Sequence, residues 1–218
     1  MSSETRTAAW GRPRAAEAPA ALEDILAAAL KAFARHGYEG VSVRMLNREL
    51  GVSHNLIHQR FGSKEGLWYA AVDWGFGPMI ADLAERIDPA IGDPLELLRD
   101  VVRRFLLHAA WRPELLALMN IEGGLDTDRL NYIYENYVVP VTKPMDQLLT
   151  HLADHGRIRP IPLRSFHLLI AHGGAALFTL VPLARRFDPA DPLDPDLAQA
   201  HAKCIADLVI AGLAVQVQ

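Results

Sequence analysis

Four polar side chains near residue 55 are of the types that read the edges of nucleic-acid bases. His54, Asn55, His58 and Gln59 are spaced i, i+1, i+4 and i+5, so a helix would place them on one stripe. Amide side chains bind adenine through paired hydrogen bonds, and imidazole nitrogens donate or accept hydrogen bonds at groove edges. Ile57 points away from this stripe and predicts a buried side. A merely solvated face is the alternative interpretation of the stripe alone.

The residues before this stripe predict a helix, a tight turn and a second helix. Ser42 is a favourable N-cap, because its hydroxyl accepts a hydrogen bond from a backbone N–H that has no partner within the helix. The helix that follows has one apolar face, formed by Val43, Leu46 and Leu50. Gly51 lies just past its end, where a left-handed backbone is usually required. Ser53 is then expected to cap the second, short helix, which carries the polar stripe and ends near Phe61.

These two helices lie in a stretch that resembles the TetR family of transcriptional regulators. The family's first helix, Gly-Tyr turn and second-helix entry are similar to ILAAALKAFARHGYEGVSVRML, and its recognition helix and fourth-helix start are similar to GVSHNLIHQRFGSKEGLWYAAV. The resemblance covers residues 22–72. The chain departs from it at Leu56, where the family often has Thr, and at Asn55, where it often has a small residue. At His58 the family usually has a Tyr that contacts a DNA phosphate, so His58 reads either a base or a phosphate.

The resemblance implies that the second helix enters the major groove of double-stranded DNA and reads bases with the polar stripe. The predicted DNA-binding set also contains residues that mostly hold phosphates or nearby edges, namely Tyr38, Ser42, Arg44, Ser53 and Lys64. Lys64 lies in the first turn of a predicted fourth helix, where free backbone N–H groups attract phosphate. A solvent-facing charge is the alternative interpretation of Lys64.

The charge distribution fits a protein that contacts DNA with one end. The 218 residues carry a net charge of −4. Residues 1–70 hold nine Lys and Arg against seven Asp and Glu, whereas the remainder holds thirteen against nineteen. A mildly basic head on an acidic body results. The single cysteine, Cys204, allows no disulfide within the chain and fits a reducing compartment, so we expect the cytoplasm.

Helical periodicity and proline- or glycine-rich loops predict an all-α fold. The predicted divisions are a mobile tail over residues 1–20, a helix-turn-helix domain over 21–66 and a helical ligand-binding and dimerisation domain over 67–218. Arg6, Arg12 and Arg14 of the tail either reach a minor groove or are simply solvated. In the body, Pro140 predicts a kink or break near residue 139. Residues 163–186 and 197–215 are each expected to form one long apolar helix. The longest apolar run, residues 168–184, is too short and too interrupted for a membrane span.

The resemblance implies that the last two helices pair with their copies in a homodimer, although a wholly internal core is the alternative. It also implies a small-molecule pocket in the body. The candidate ligand-binding residues are Trp74, Phe105, Trp111, Met119, Tyr134, Tyr137, His172 and Phe178. Aromatic side chains with a few polar tips suit an apolar or aromatic ligand, and ordinary core packing is the alternative for each of them.

No nucleophile motif, metal-protease motif or phosphate-binding glycine loop occurs, so we expect no enzyme activity, no cofactor and no metal site. The predicted function is a sequence-specific DNA-binding transcriptional regulator, a repressor released from a palindromic operator by a small apolar or aromatic ligand. The alternative is a ligand-independent regulator whose body only dimerises or docks a protein partner. An all-α enzyme of unrecognised type is a third possibility.

Overall fold

The computed structural model describes residues 22–52, 55–85 and 92–215. Within these ranges the chain is almost entirely helical, and the one β-type pairing is an isolated bridge between Ile158 and Ala214. The predicted all-α fold is confirmed. The predicted tail, with its three arginines, lies outside the described residues, and so do Ser53 and His54. No helix in the described ranges is both long and apolar enough to cross a membrane.

The N-terminal part of the structure, called the head below, contains α1 (Leu22–Gly40), α2 (Val43–Glu49), α3 (Leu56–Phe61) and the start of α4 (Lys64–Ala84). Helix α1 breaks at Gly37, whose φ of 68° is left-handed and therefore favours glycine. Ser42 caps α2 by accepting a hydrogen bond from the Met45 N–H at 3.1 Å. Ser63 caps α4 by accepting one from the Gly66 N–H at 3.0 Å. These caps set the two helix starts that the sequence predicts.

The predicted N-cap of the recognition helix is wrong. Asn55, rather than Ser53, precedes the first helical residue of α3, and its side chain makes no capping hydrogen bond. The helix begins here because the Gln59 N–H donates to the Asn55 carbonyl at 2.8 Å, which closes the first helical turn. The described members of the polar stripe therefore begin at the N-cap and continue along a helix of six residues.

The remaining helices form the body. They are α5 (Pro94–Trp111), α6 (Pro113–Glu122), α7 (Asp128–Ile133), α8 (Val139–Asp154), α9 (Leu163–Leu168), α10 (Ala176–Thr179), α11 (Val181–Phe187) and α12 (Pro195–Leu213). Two segments adopt the wider π-helical turn, in which hydrogen bonds join residues five apart. They are π1 (Tyr134–Val138), between α7 and α8, and π2 (Leu169–Gly174), after α9.

The prolines explain where the body helices are interrupted. Pro140 has no N–H, and the predicted interruption near Val139 takes the form of π1, where the Val139 N–H donates to the Tyr134 carbonyl. The prediction of one helix over residues 163–186 is wrong, because the chain forms α9, π2, α10 and α11 there. Pro182 supplies no donor to continue α10 and instead lies in the first turn of α11, where the missing N–H is tolerated.

The head and the body share one apolar core where α1 packs against α6. Leu30 and Phe33 of α1 are buried in the same cluster as Leu115 and Leu118 of α6. Gly75 of α4 lets these helices approach, because a Cβ there would lie 2.8 Å from a Leu30 methyl and 2.7 Å from a Leu115 methyl. The predicted division at residues 66 and 67 thus separates regions that pack on each other.

Candidate DNA-binding surface and ligand cavity

Helix α3 presents a polar face to solvent and an apolar face to the core. Asn55, His58 and Gln59 are exposed, whereas Ile57 is fully buried. Arg60 is also exposed in the last turn of α3 and adds a positive charge that the sequence interpretation did not include. The amide and imidazole groups of this face are therefore free to contact base edges, and Arg60 is placed near the same surface.

The position of α3 is fixed by a close approach to the first turn of α4. A Cβ built on Gly66 would lie 2.2 Å from the carbonyl oxygen of Phe61, the last residue of α3. Only glycine fits at this distance, because the neighbouring atom belongs to the backbone and cannot rotate away. Gly66 therefore determines how closely the recognition helix sits on α4.

The predicted phosphate-binding residues lie around the end of α1 and the starts of α2 and α4. The Ser42 hydroxyl accepts the capping hydrogen bond described above, and Arg44 is exposed in the first turn of α2. The Lys64 ammonium lies 4.1 Å from the centroid of the Tyr38 ring, a cation–π contact. Burial and the nearby Glu65 carboxylate raise the pKa of Tyr38, so its hydroxyl remains a donor at neutral pH.

The same Tyr38 ring also contacts the body. The Arg129 guanidinium of α7 lies 4.1 Å from the ring centroid. The Arg129 Nε–H donates to both carboxylate oxygens of Glu122 at 3.2 Å, and Glu122, the last residue of α6, is fully buried. A chain of contacts therefore runs from Glu122 through Arg129 and Tyr38 to Lys64. We call it the Arg129 relay.

A second connection joins α4 to α7 and π1. The Asp73 carboxylate of α4 accepts hydrogen bonds from the hydroxyl of Tyr132, at 2.7 Å, and from the hydroxyl of Tyr137. Burial and these bonds to a carboxylate raise the pKa of Tyr132 to about 12 and also raise the pKa of Tyr137. Both phenols therefore stay protonated and hold α7 and π1 against α4.

Body helices and α4 line a partly open cavity of about 480 Å³, within the range of small-molecule sites. Most of its walls are apolar. The interior side chains include Phe76, Met79, Leu83, Val101, Val102, Phe105, Val141, Met145, Phe166 and Ile170. Both π-helical segments contribute to the lining, and so do Met119, Gly123, Gly124 and Leu130, which flank the Arg129 relay in sequence.

The structure places five of the eight predicted ligand residues on this cavity, namely Phe105, Met119, Tyr134, Tyr137 and His172. The other three lie elsewhere. Trp74 stacks under the Arg112 guanidinium at 4.4 Å, and Trp111 is 59% exposed beside His108. Phe178 is buried in the body core, because the short α10 directs its ring against His201. These three are corrections to the predicted ligand set.

Comparison with known protein families identifies the family of this chain. The family model "Bacterial regulatory proteins, tetR family" matches residues 25–71, and the model "Tetracyclin repressor-like, C-terminal domain" matches residues 94–209, more than half of the chain. The chain belongs to the TetR family. The predicted DNA-binding transcriptional regulator is confirmed by this membership.

Two named relatives and one solved structure are similar to this chain over half of their own length or more. HTH-type transcriptional repressor AcnR of Corynebacterium efficiens is 46% identical over 150 residues, which cover 68% of this chain and 74% of the relative. HTH-type transcriptional repressor NicS of Pseudomonas putida is 28% identical over 116 residues, 51% of this chain and 54% of that one. The structure of FadR from Bacillus subtilis, in complex with stearoyl-CoA, has a TM-score of 0.62 at 19% identity and covers 87% of this chain and 98% of its own.

Several residues of this TetR-family chain that contribute to the relay or the cavity were not predicted from the sequence. Glu122 and Arg129 are seven residues apart in sequence, and only the fold brings them to Tyr38. Asn120 and His167 line the cavity without any motif around them. A fully buried glutamate is rare without a cationic partner, but the sequence does not reveal which glutamate is buried.

Proposed function

We propose that this TetR-family regulator is a repressor that binds a palindromic operator as a homodimer and is released by a small, largely apolar ligand. The observation that carries the proposal is the apolar cavity, which lies directly beside the contacts that hold the head. Its volume argues against a regulator whose body serves only for dimerisation or docking, since such a body needs no cavity. Because it acts on bacterial DNA, we place the protein in the cytoplasm.

The ligand signal is proposed to pass through α6 and α7. Met119 and Gly123 line the cavity on either side of Glu122, and Leu130 lines it next to Arg129. A ligand that shifts these residues would move the Arg129 relay, and with it the Tyr38 ring on which the Lys64 ammonium lies. The ligand acts only if it binds the released arrangement more tightly than the DNA-bound one.

The dimer is proposed to form through π2 and α12. Leu169 and Leu208 are 53% and 63% exposed, and together with Gly173 they line a groove. A contiguous groove lined by exposed leucines is more often covered by another protein surface than left in contact with water. A two-fold axis through this surface would present two copies of α3 to successive major grooves, with half-site centres about 34 Å apart or a multiple of it.

The proposed site residues divide into two roles. Gln59, His58 and Asn55 read bases from the exposed face of α3, and Lys64, Arg44 and Tyr38 contact phosphates. Ser42 contributes by fixing the start of α2. The other two members of the predicted set, Ser53 and His54, lie outside the described residues and remain proposals that rest on the family resemblance alone.

Selection of binding sites from random duplex DNA tests the proposal directly. We expect the purified full-length protein, at near-physiological salt, to enrich a palindrome with one half-site per α3. A non-palindromic consensus would contradict the dimer arrangement. Failure to enrich any sequence with folded, dimeric protein would contradict repression through these heads. A cavity ligand that binds without changing operator affinity would favour the ligand-independent alternative.

Lys64→Ala and Gln59→Ala are expected to have opposite signatures on the selected operator. Lys64→Ala removes one phosphate contact per subunit and therefore two per dimer, so it should weaken binding to every duplex and reduce the slope of log affinity against log salt by about 1.8. Gln59→Ala should relax base preference by about 1–3 kcal/mol at one position of each half-site. Fluorescence anisotropy on operator and scrambled duplexes at several salt concentrations distinguishes them.

The matched control is Lys143→Ala, which removes an exposed lysine from α8 in the body and should change neither property. If Lys64→Ala altered sequence preference while Gln59→Ala changed only the salt slope, the proposed division of roles would be wrong.

A further inference from the structure

The cavity wall contains two histidines, His167 of α9 and His172 of π2, besides a few neutral polar side chains such as Asn120 and Thr142. The two residues are five apart in sequence, a spacing that a π-helical turn aligns and an α-helix does not. Both side chains line the cavity. His167 is half-buried, whereas His172 is exposed and therefore lies at the rim. The π2 segment thus brings two imidazoles to the wall of a mostly apolar cavity.

No fixed charge of the described lining opposes or neutralises these imidazoles. Among the described residues that line the cavity there is no Asp, Glu, Lys or Arg, and the other titratable side chains are Tyr134 and Tyr137. Tyr137 donates its hydroxyl to Asp73, so it stays protonated. Burial and then repulsion by His172 lower the pKa of His167, which keeps its ring neutral at pH 7 in the absence of an anion.

We propose that the cavity binds an amphipathic monocarboxylate, with the apolar tail in the interior and the carboxylate between His167 and His172. This rests on the proposed function and names its ligand class. A carboxylate in an apolar site needs a hydrogen-bonding or charged partner. The two imidazoles supply N–H donors and can become positively charged by taking up a proton. Charge-assisted hydrogen bonds are roughly twice as strong as neutral ones. An ammonium head would find no anion in the described lining.

The arrangement links ligand affinity to pH. A bound carboxylate stabilises the protonated form of His167 and raises its pKa from the lowered value, so binding takes up a proton. Affinity should therefore rise as pH falls from 8 to 6, by up to about tenfold per pH unit within the titration range. An alkyl carboxylic acid stays ionised throughout this window, because carboxyl groups titrate near pH 4.

Calorimetric titration with decanoate, 1-decanol and decylamine tests this inference on the full-length dimer. The three probes share a ten-carbon chain and differ only in the head group. We expect decanoate to bind about tenfold more tightly than 1-decanol at pH 6, decylamine to bind most weakly, and only decanoate to lose affinity toward pH 8. Equal affinity for decanoate and 1-decanol, or no binding of any probe, would overturn the inference.

Substitutions locate the head group. His167→Gln keeps the size and hydrogen-bonding capacity of the side chain but cannot be protonated, so it should remove the pH dependence and the preference for decanoate while leaving 1-decanol unchanged. His151→Gln, at an exposed position of α8 away from the cavity, is the matched control and should bind like the parent. Val102→Phe places a ring in the cavity and should weaken both probes. A carboxylate preference that survives in the His167→Gln/His172→Gln double variant would overturn the assignment.

The head-group inference and the proposed function fail in different ways. Operator affinity is measured by anisotropy in the same samples. If decanoate binds with the expected head-group preference but leaves operator affinity unchanged, the ligand class stands and the ligand-response mechanism is wrong. If 1-decanol releases the operator as well as decanoate does, the response stands and the carboxylate assignment is wrong.

Discussion

Gly66→Ala is expected to abolish specific DNA binding and to lower the free energy of unfolding by about 3 kcal/mol, the upper end of the range for overpacked sites. The new methyl group would lie 2.2 Å from the Phe61 carbonyl oxygen. Because that oxygen belongs to the backbone, relief requires α3 to move away from α4. The recognition helix would then lose both its packing and its orientation toward the groove.

Gly77→Ala provides the matched control within the same helix. Its Cβ would have no atom within 4 Å, so the added methyl group meets open space. An alanine there should be neutral or stabilising by up to about 1 kcal/mol, the difference in helix propensity. Thermal unfolding at equal protein concentration should separate the variants by roughly 6–16 °C for a chain of this size. Equal stability and operator affinity for both would show that α3 and α4 tolerate a wider separation.

Glu122→Ala is expected to destabilise the protein by about 3 kcal/mol, because it leaves the Arg129 guanidinium without its anionic partner in a mostly buried position. Glu122 is fully buried and the Arg129 side chain is 17% exposed, so water screens the remaining charge poorly. Denaturant unfolding measures this loss. Operator release should also weaken, since Arg129 loses the contact that ties it to α6.

Two further variants show whether the lost charge pair is the cause. Arg185→Ala removes an exposed ion pair of comparable length, between Arg185 and Asp191 at 3.0 Å, and should change stability by less than about 1 kcal/mol. The double variant Glu122→Ala/Arg129→Ala has no orphaned guanidinium and should be more stable than Glu122→Ala alone. If Glu122→Ala were as mild as Arg185→Ala, the buried pair would have no structural role.

The sequence predicted the parts of the head that depend on local chemistry. Ser42 was recognisable as a cap, and Gly51 as the left-handed residue after α2, because these residues act on backbone groups within a few positions of themselves. The exposed face of α3 followed from helical spacing. The N-cap of α3 was wrongly predicted to be Ser53, because the start of α3 depends on which carbonyl closes the first turn, and several polar residues there are plausible caps.

The parts that failed depend on tertiary packing. Phe105 and Phe178 are both aromatic residues of apolar body segments, yet the first lines the cavity and the second is in the core. Whether the Phe178 ring faces the cavity or the core depends on where α10 begins and ends. The end of α10 depends in turn on Pro182 and on the neighbouring helices. A 3.6-residue period does not predict the π-helical alignment of His167 with His172. The Arg129 relay joins residues that are distant in sequence, so local patterns do not predict it either.

The shared core of Leu30, Phe33, Leu115 and Leu118 has a consequence for engineering this regulator. Chimeras that exchange only the operator-reading portion of such proteins, for example to build biosensors, assume that it is an interchangeable module. Here a junction after residue 66 would graft a foreign α1 onto α6 and leave Gly75 facing unmatched side chains. A working chimera would have to carry the complementary α6 surface along with the new head.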